Sequence, residues 1–268
     1  MGYKGYYEGK EERAKKARTH TALMARKYEK RIRNSTNRTV IYGGEQIMPM
    51  YVGYPEEIPT PEISVVDTDS VSAIFDYKDG VTAVLNFASY KNPGGMFING
   101  SSAQEESLCH ESNLYNILYA FEDTYYKWNR KNVNHSLYTN RALYTPDVMF
   151  IREGVEPVRC DVITCASPNW SSAKSYHHEP KVNNRRALYS RIKFVKMIAE
   201  ENHVETLILG AFGCGVFGQN PVEVAKFFAD VFEHSVVKRL VFAIPSGFHT
   251  ENYEAFVNQF CKKEETET

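Results

Sequence analysis

The stretch Asn86–Glu106 reads NFASYKNPGGMFINGSSAQEE. It continues the apolar run Thr82–Phe87, which has the length and character of a strand buried on both faces. Pro93, Gly94 and Gly95 then mark a turn. A loop ending in the small residues Gly100–Ala103 follows, and Gln104, Glu105 and Glu106 open a helix. Strand, glycine turn and helix start in succession form the repeating unit of layered α/β sheets. A glycine turn also lets backbone amides approach a ligand closely, and the helix start aims acidic side chains toward it.

The same alternation continues outward. The helix from Ser102 or Ala103 is predicted to run to about Trp128, with Leu108, Leu114, Ile117, Leu118 and Phe121 at helical intervals. Val148–Arg152, Val162–Ala166, Thr206–Phe212 and Leu240–Ile244 read as strands, and Asn184–Glu200, Pro221–Glu233 and Glu251–Lys262 as helices. Upstream, Lys10–Arg33 reads as a helical arm broken at Asn34–Asn37, and Thr39–Tyr42 and Ile63–Val66 as short strands. Met48–Pro61 is a long connection, and Thr68, Asp69 and Ser70 offer caps for a helix to Tyr77. The pattern predicts an α/β sandwich with a largely parallel sheet and a ligand crevice at the carboxyl ends of its strands.

A second glycine loop, Gly213-Cys214-Gly215-Val216-Phe217-Gly218, lies between a strand and a helix that opens at Pro221. Proline suits a first helical turn, where its missing amide hydrogen is not needed. Strand, loop and helix start together form an anion site suited to a diphosphate. The spacing also satisfies Gly-x-Gly-x-x-Gly. Against a nicotinamide dinucleotide site, the next strand runs into Pro245 and Ser246 without a ribose-binding acid. A tight turn without a ligand is the plain alternative. Cys214 reads as a small buried residue rather than a nucleophile, because no histidine stands beside it in sequence.

Ser102 and Glu105 have the spacing of a capping box, which gives Glu105 a structural reading. Glu106 has no capping duty and lies about 100° further round the helix.

The 268 residues are 43% hydrophobic and 24% charged, with a net charge of −1, which is ordinary for a soluble globular chain. No apolar run is long enough to span a membrane, and the N-terminus lacks the apolar core of a signal peptide. Five cysteines without paired spacing imply a reducing, cytoplasmic setting (or the nucleus in a eukaryote). No ligand cluster calls for a metal, and His177-His178 reads as a solvated loop. Residues Met1–Arg38 hold twelve Lys/Arg against four Asp/Glu. The favoured reading is a solvated helix face; the functional one is a surface for an anionic polymer.

The first loop resembles the signature of poly(ADP-ribose) glycohydrolases, in which three glycines and a short spacer precede Gln-Glu-Glu. Here Gly94, Gly95 and Met96 are followed by seven residues and Gln104-Glu105-Glu106. The surrounding text is similar to the bacterial and fungal single-domain branch, through Val81–Tyr115, Tyr144–Arg152, Cys160–Asn169 and Leu207–Asp230. Met96 replaces the third glycine, either lining the cleft as a pliable wall or crowding the distal ribose.

The resemblance implies a macrodomain-like three-layer α/β/α sandwich at 61–268, with residues 1–60 as a helical arm and connection packed on it. It implies cleavage of the ribose–ribose O-glycosidic bonds of poly(ADP-ribose), releasing ADP-ribose, with no cofactor. Glu106 takes the family's acid/base role and Glu105 a ribose-hydroxyl contact. Gly94, Gly95 and Gln104 line the substrate, Gly213–Gly218 hold the diphosphate, and Phe217 positions a ribose. Asn92 bonds ribose or anchors its loop, and Asn169 is similar. Other readings are a non-catalytic ADP-ribose-binding module, a mono-ADP-ribosyl hydrolase and an NAD-dependent oxidoreductase. Partners are ADP-ribosylated macromolecules, with neither a membrane nor direct DNA or RNA binding indicated.

Overall fold

The computed structural model of the protein describes residues 9–43, 58–247 and 250–261. In chain order its helices and strands are α1 (Lys10–Lys27), α2 (Glu29–Arg38), β1 (Val40–Gly43), β2 (Glu62–Val66), α3 (Ser70–Asp76), β3 (Thr82–Phe87), α4 (Gln104–His110), α5 (Leu114–Tyr119), α6 (Lys127–Lys131), β4 (Arg141–Phe150), β5 (Val158–Cys165), α7 (Trp170–His177), α8 (Lys181–Glu201), β6 (Thr206–Leu209), α9 (Pro221–Phe232), β7 (Arg239–Ala243) and α10 (Thr250–Phe260). Among the described residues seven strands form one sheet in the order β1-β4-β5-β3-β6-β7-β2. Strands β1, β4 and β5 pair antiparallel, and the rest pair parallel. Most of the predicted connection at 48–61 lies outside the described residues.

The period of the strands makes the sandwich. Leu85, Ile163, Leu207 and Phe242 bury one face against Leu188, Ile192, Phe228 and Phe256 of α8, α9 and α10. Their neighbours Val84, Val162, Ile208 and Val241 bury the other face against Ile74, Leu108, Leu114 and Ile117. Successive side chains of a strand point to opposite faces, so fully apolar strands require a helical layer on each side. No described helix is long and apolar enough to cross a membrane.

Sequence reading placed one long helix after Ser102; the chain instead breaks it into α4, α5, a wider turn at Glu122–Tyr126, and α6. Ser112 and Asn113 cause the first break. Ser112 Oγ donates to the Leu108 carbonyl at 2.6 Å and accepts from the Leu114 amide at 3.1 Å. Asn113 Oδ1 accepts from the Met149 amide of β4 at 3.1 Å. Short polar side chains here compete with the helix ladder for backbone groups. Asp69 caps α3 as expected, accepting from the amides of Val71 and Ser72 at 2.9 and 3.0 Å.

The N-terminal arm is part of the framework. Ala14 and Ala17 are buried, Arg13 Nε donates to the Gly100 carbonyl at 2.8 Å, and His20 Nε2 lies 2.7 Å from the Ser112 carbonyl. Gly100 has φ +79°, and a Cβ there would overlap the Lys10 carbonyl and sit 2.9 Å from the Ala14 nitrogen. Gly100→Ala is therefore expected to loosen α1 and to lower stability by about 1–3 kcal/mol. Limited proteolysis within α1 alongside thermal unfolding measures it; unchanged protection would contradict this docking.

Candidate active site

Beyond Phe87 the chain folds back over the first turn of α4. Gln104 fastens that turn to β3. Its Oε1 accepts from the Phe87 amide at 2.8 Å, and its Nε2 donates to the Leu85 carbonyl at 2.9 Å and to Ser70 Oγ at 3.1 Å. The amide of Gln104 is thus engaged with protein, although its side chain borders the cleft.

Glu105 and Glu106 are 3% and 5% exposed. Glu105 Oε2 accepts from the Ser89 amide at 2.7 Å and its Oε1 from Asn86 Nδ2 at 3.2 Å, with a further bond from the Gly94 backbone. Glu106 Oε1 accepts from the Met96 amide at 3.0 Å, and its other oxygen has no protein donor among the described residues. The expected Ser102–Glu105 capping box is not formed: Ala103 is the N-cap, with no side-chain cap bond. Several donors on the overlying turn draw the Glu105 carboxylate inward, away from the helix amides.

Gly94 and Gly95 have φ of +63° and +62°, where glycine is at no steric disadvantage. A Cβ on Gly95 would stand 2.6 Å from Glu106 Oε1 and 3.0 Å from Glu105 Oε2; one on Gly94 would stand 2.7 Å from the Tyr115 ring. Both glycines are needed for close approach as well as for φ. Asn92 is exposed, and its backbone carbonyl accepts from the Gly95 amide at 3.1 Å.

The second loop follows β6. Gly213 lies against Ser167, and Gly218 against Ser171. Asn220 caps α9, accepting from the Glu223 amide at 3.0 Å, with Pro221 in the first turn. The amides of Cys214 and Gly218 close turns within the loop. Those of Gly215, Val216 and Phe217 reach no protein acceptor among the described residues. Burial pushes the Cys214 thiol up to about 12, so it stays a neutral thiol. Phe217 meets Tyr138 edge-on at 6.2 Å, and Tyr138 stacks on Tyr90 at 4.2 Å. Asn169 caps α7, accepting from the Ser172 amide at 3.0 Å.

The two loops border one cavity of about 730 Å³, shared by Gly95, Met96, Gln104, Glu105 and Glu106 with Gly213, Gly215, Val216 and Phe217. Lys10 and Arg13 of α1 also border it. A smaller cavity of about 340 Å³ adjoins through Phe87, Gln104 and Ala211, and is walled by Val71, Ile244 and Pro245. Sequence reasoning missed this second cavity, because its walls come from three distant segments. The histidines read as solvated, His177 and His178, are exposed; His177 stacks on His135 at 5.4 Å, and His135 lies 2.6 Å from Glu179. Among the described residues no group of three or more metal-ligating side chains occurs.

Burial, and secondarily the Glu106 charge, raise Glu105 from 4.5 to about 8. Asn86 Oδ1 is buried without a partner while its Nδ2 faces Glu105 and, at 3.3 Å, Thr164 Oγ1. The two ends of an amide are interchangeable by rotation, and the turned amide would accept the proton of a neutral Glu105. The folded chain then holds a proton that the unfolded chain releases near pH 4.5. The associated stability is complete below that value and is lost as pH rises through about 8. Between pH 5 and 8 the protein should lose roughly 3–10 °C of Tm relative to Glu105→Gln. Parallel Tm profiles would refute the neutral Glu105.

Comparison with known proteins agrees with this layout. The model of the microbial-type poly(ADP-ribose) glycohydrolase (PARG) catalytic domain matches residues 6–153. The poly(ADP-ribose) glycohydrolase of Thermomonospora curvata is 26% identical, with a TM-score of 0.84 over 93% of this chain and 100% of that one. Its structure bound to the inhibitor ADP-HPD is 25% identical, with a TM-score of 0.82 over the same shares of the two chains. The Deinococcus radiodurans poly(ADP-ribose) glycohydrolase in complex with ADP-ribose is 27% identical, with a TM-score of 0.76 over 85% of this chain and 96% of that one. No curated protein sequence matches the chain. With its matched catalytic domain, its shared fold and its pair of buried glutamates under a glycine turn, the chain belongs to the microbial-type poly(ADP-ribose) glycohydrolase family.

Proposed function

We propose that this protein hydrolyses the ribose–ribose bond of poly(ADP-ribose) with Glu106 as general acid and base. The observation that carries this reading is the shared cavity. Backbone amides at Gly215–Phe217 and one oxygen of the buried Glu106 carboxylate, none with a protein partner among the described residues, border the same space. The amides suit a diphosphate, and the carboxylate suits a glycosidic oxygen. The smaller apolar cavity has room for the adenine.

In the reaction, protonated Glu106 donates to the leaving ribose oxygen as the anomeric C–O bond breaks and its electrons pass to that oxygen. The anomeric carbon takes on oxocarbenium character. Water then adds to that carbon and gives a proton to the Glu106 carboxylate, which restores the acid. Glu105, with one oxygen engaged by Ser89 and the other by Asn86, is suited to orienting a ribose hydroxyl rather than to proton transfer. Gly94 and Gly95 keep the wall over the carboxylates thin, and Phe217, backed by Tyr138, packs on a ribose. Asn92 supports the turn through its backbone.

The nicotinamide reading has no support in this chemistry, because hydride transfer has no use for a carboxylate pair under the turn. We place the enzyme in the cytoplasm, since its five cysteines are all free thiols. Helices α1 and α2 serve as an arm on the catalytic fold, and β1 after them belongs to its sheet.

Glu106→Gln is expected to slow release of ADP-ribose from purified polymer by about 10²–10⁴-fold while keeping ADP-ribose affinity, measured by calorimetry. Undiminished release would move the acid elsewhere, and absent release by the parent protein with affinity intact would favour a binding module. Cys214→Ala should retain hydrolysis in the same assay; its loss would reinstate the thiol as a participant.

A further inference from the structure

The basic arm meets the cleft at one place. Lys10 and Arg13, one helical turn apart on the same side of α1, border the cavity that holds Glu105 and Glu106. They are the cationic side chains among its described lining residues. The acids of the same turn point elsewhere: Glu11 and Glu12 border a separate surface groove with Lys15, Lys16, Thr19 and His20. Helical geometry thus sorts the charges of the first turn, placing positive charge over the cleft and negative charge away from it.

This edge of the cleft is rigid. The Lys10 carbonyl packs on Gly100, Arg13 Nε bonds the Gly100 carbonyl, and Arg18 reaches the Ile98 carbonyl at 3.3 Å. The edge belongs to the turn at Phe97–Ser101, whereas the amide loop at Gly213–Gly218 rests on Ser167 and Ser171. The cleft therefore has two anion-attracting borders on separate supports, with the carboxylates sharing the same space. A polymer of ADP-ribose carries a diphosphate on each side of every ribose–ribose bond, so one substrate presents two such groups.

We propose that Lys10, placed by the Arg13–Gly100 contact, forms a second anion subsite for the diphosphate of the polymer unit across the scissile bond. The subsite distinguishes polymer from a single ADP-ribose. It rests on the glycohydrolase reading above.

The test uses the full chain carrying Glu106→Gln, so that bound substrate survives, and two probes: ADP-ribose and an oligomer of two ADP-ribose units. Lys10→Glu should weaken the oligomer about tenfold and lower the slope of log affinity against log salt by about one. ADP-ribose affinity should stay within about twofold, and Lys10→Arg should restore the oligomer. Arg13 is left in place because it holds Gly100. Loss of both probes in equal measure, or loss of neither, overturns the subsite while leaving the glycohydrolase reading standing. If the Glu106→Gln parent binds neither probe, that reading falls and the subsite with it.

Discussion

Two buried carboxyl groups at the head of α4 can exist only because a turn of backbone amides lies over them. An isolated buried carboxylate is expensive, and hydrogen bonds from the main chain make it tolerable. The amides of Ser89, Gly94 and Met96 do this here, and they can come close because Gly94 and Gly95 have no Cβ. The rest of the site follows from that contact. Gln104 holds the helix start against β3, Gly100 anchors the far end of the turn to α1, and the carboxylates open on the space that the Gly213 loop closes. The same contact separates the two acids: Glu105 has a partner on each oxygen, with burial outweighing those bonds to raise its pKa, whereas Glu106 keeps one oxygen for a ligand.

The parts of this design that were legible in the sequence are those whose signals are local. Glycines before a helix start, alternating strands and helices, and Pro221 after Asn220 each reflect the backbone of a few neighbouring residues, so β3, β7 and both loops were found close to their true bounds, whereas β4 begins at Arg141 and β5 at Val158, ahead of the predicted Val148 and Val162. The break of the arm was misplaced: the chain breaks at Tyr28, and Asn34–Asn37 lie within α2. Two other misreadings have a common physical form. Ser102 and Glu105 have capping spacing, but the carboxylate found better donors across the turn, on residues 16 and 19 positions upstream. The helix predicted to run to Trp128 was interrupted because Asn113 bonds a strand amide 36 positions away. Helix α7 went unread because Trp170–His177 is mostly polar and short of apolar periodicity, despite the local cap at Asn169. The two cavities, and the approach of Lys10 to one of them, depend on contacts between distant segments, which no window of sequence contains.

The Tyr144–Asp147 stretch, which sequence reading could match but not interpret, belongs to the opposite end of the sheet. Register shifts between Thr145 and Val148 in the β4–β5 pair, and Asp147 takes φ +58°. Arg38 and Arg159 pair with its carboxylate, and its amide donates to Asp161 Oδ1 at 2.8 Å. Asp161, raised by burial, also accepts from the Tyr144 hydroxyl. A bulge of this kind bends a strand and re-aims its side chains. It also ties α2 to the sheet, since Arg38 and Ser35 both reach Asp147. The motif is thus architectural: it secures the arm whose other end walls the cleft.

Met96 is where the chain departs from the triple-glycine pattern, and its geometry explains why the departure is tolerable. The two preceding glycines have positive φ, but Met96 has φ −112° and ψ 29°, a negative-φ conformation that does not require glycine. What the site takes from this position is the amide hydrogen that meets Glu106, and a side chain does not alter it. Met96 is 44% exposed and borders the cavity, so the substitution changes the wall and leaves the carboxylate's support unaltered. A pliable, unbranched side chain is the least obstructive large residue for such a wall. The position therefore bears on which substrates fit beside the turn, while the ability to bury and hold Glu106 stays with Gly94, Gly95 and the backbone they free.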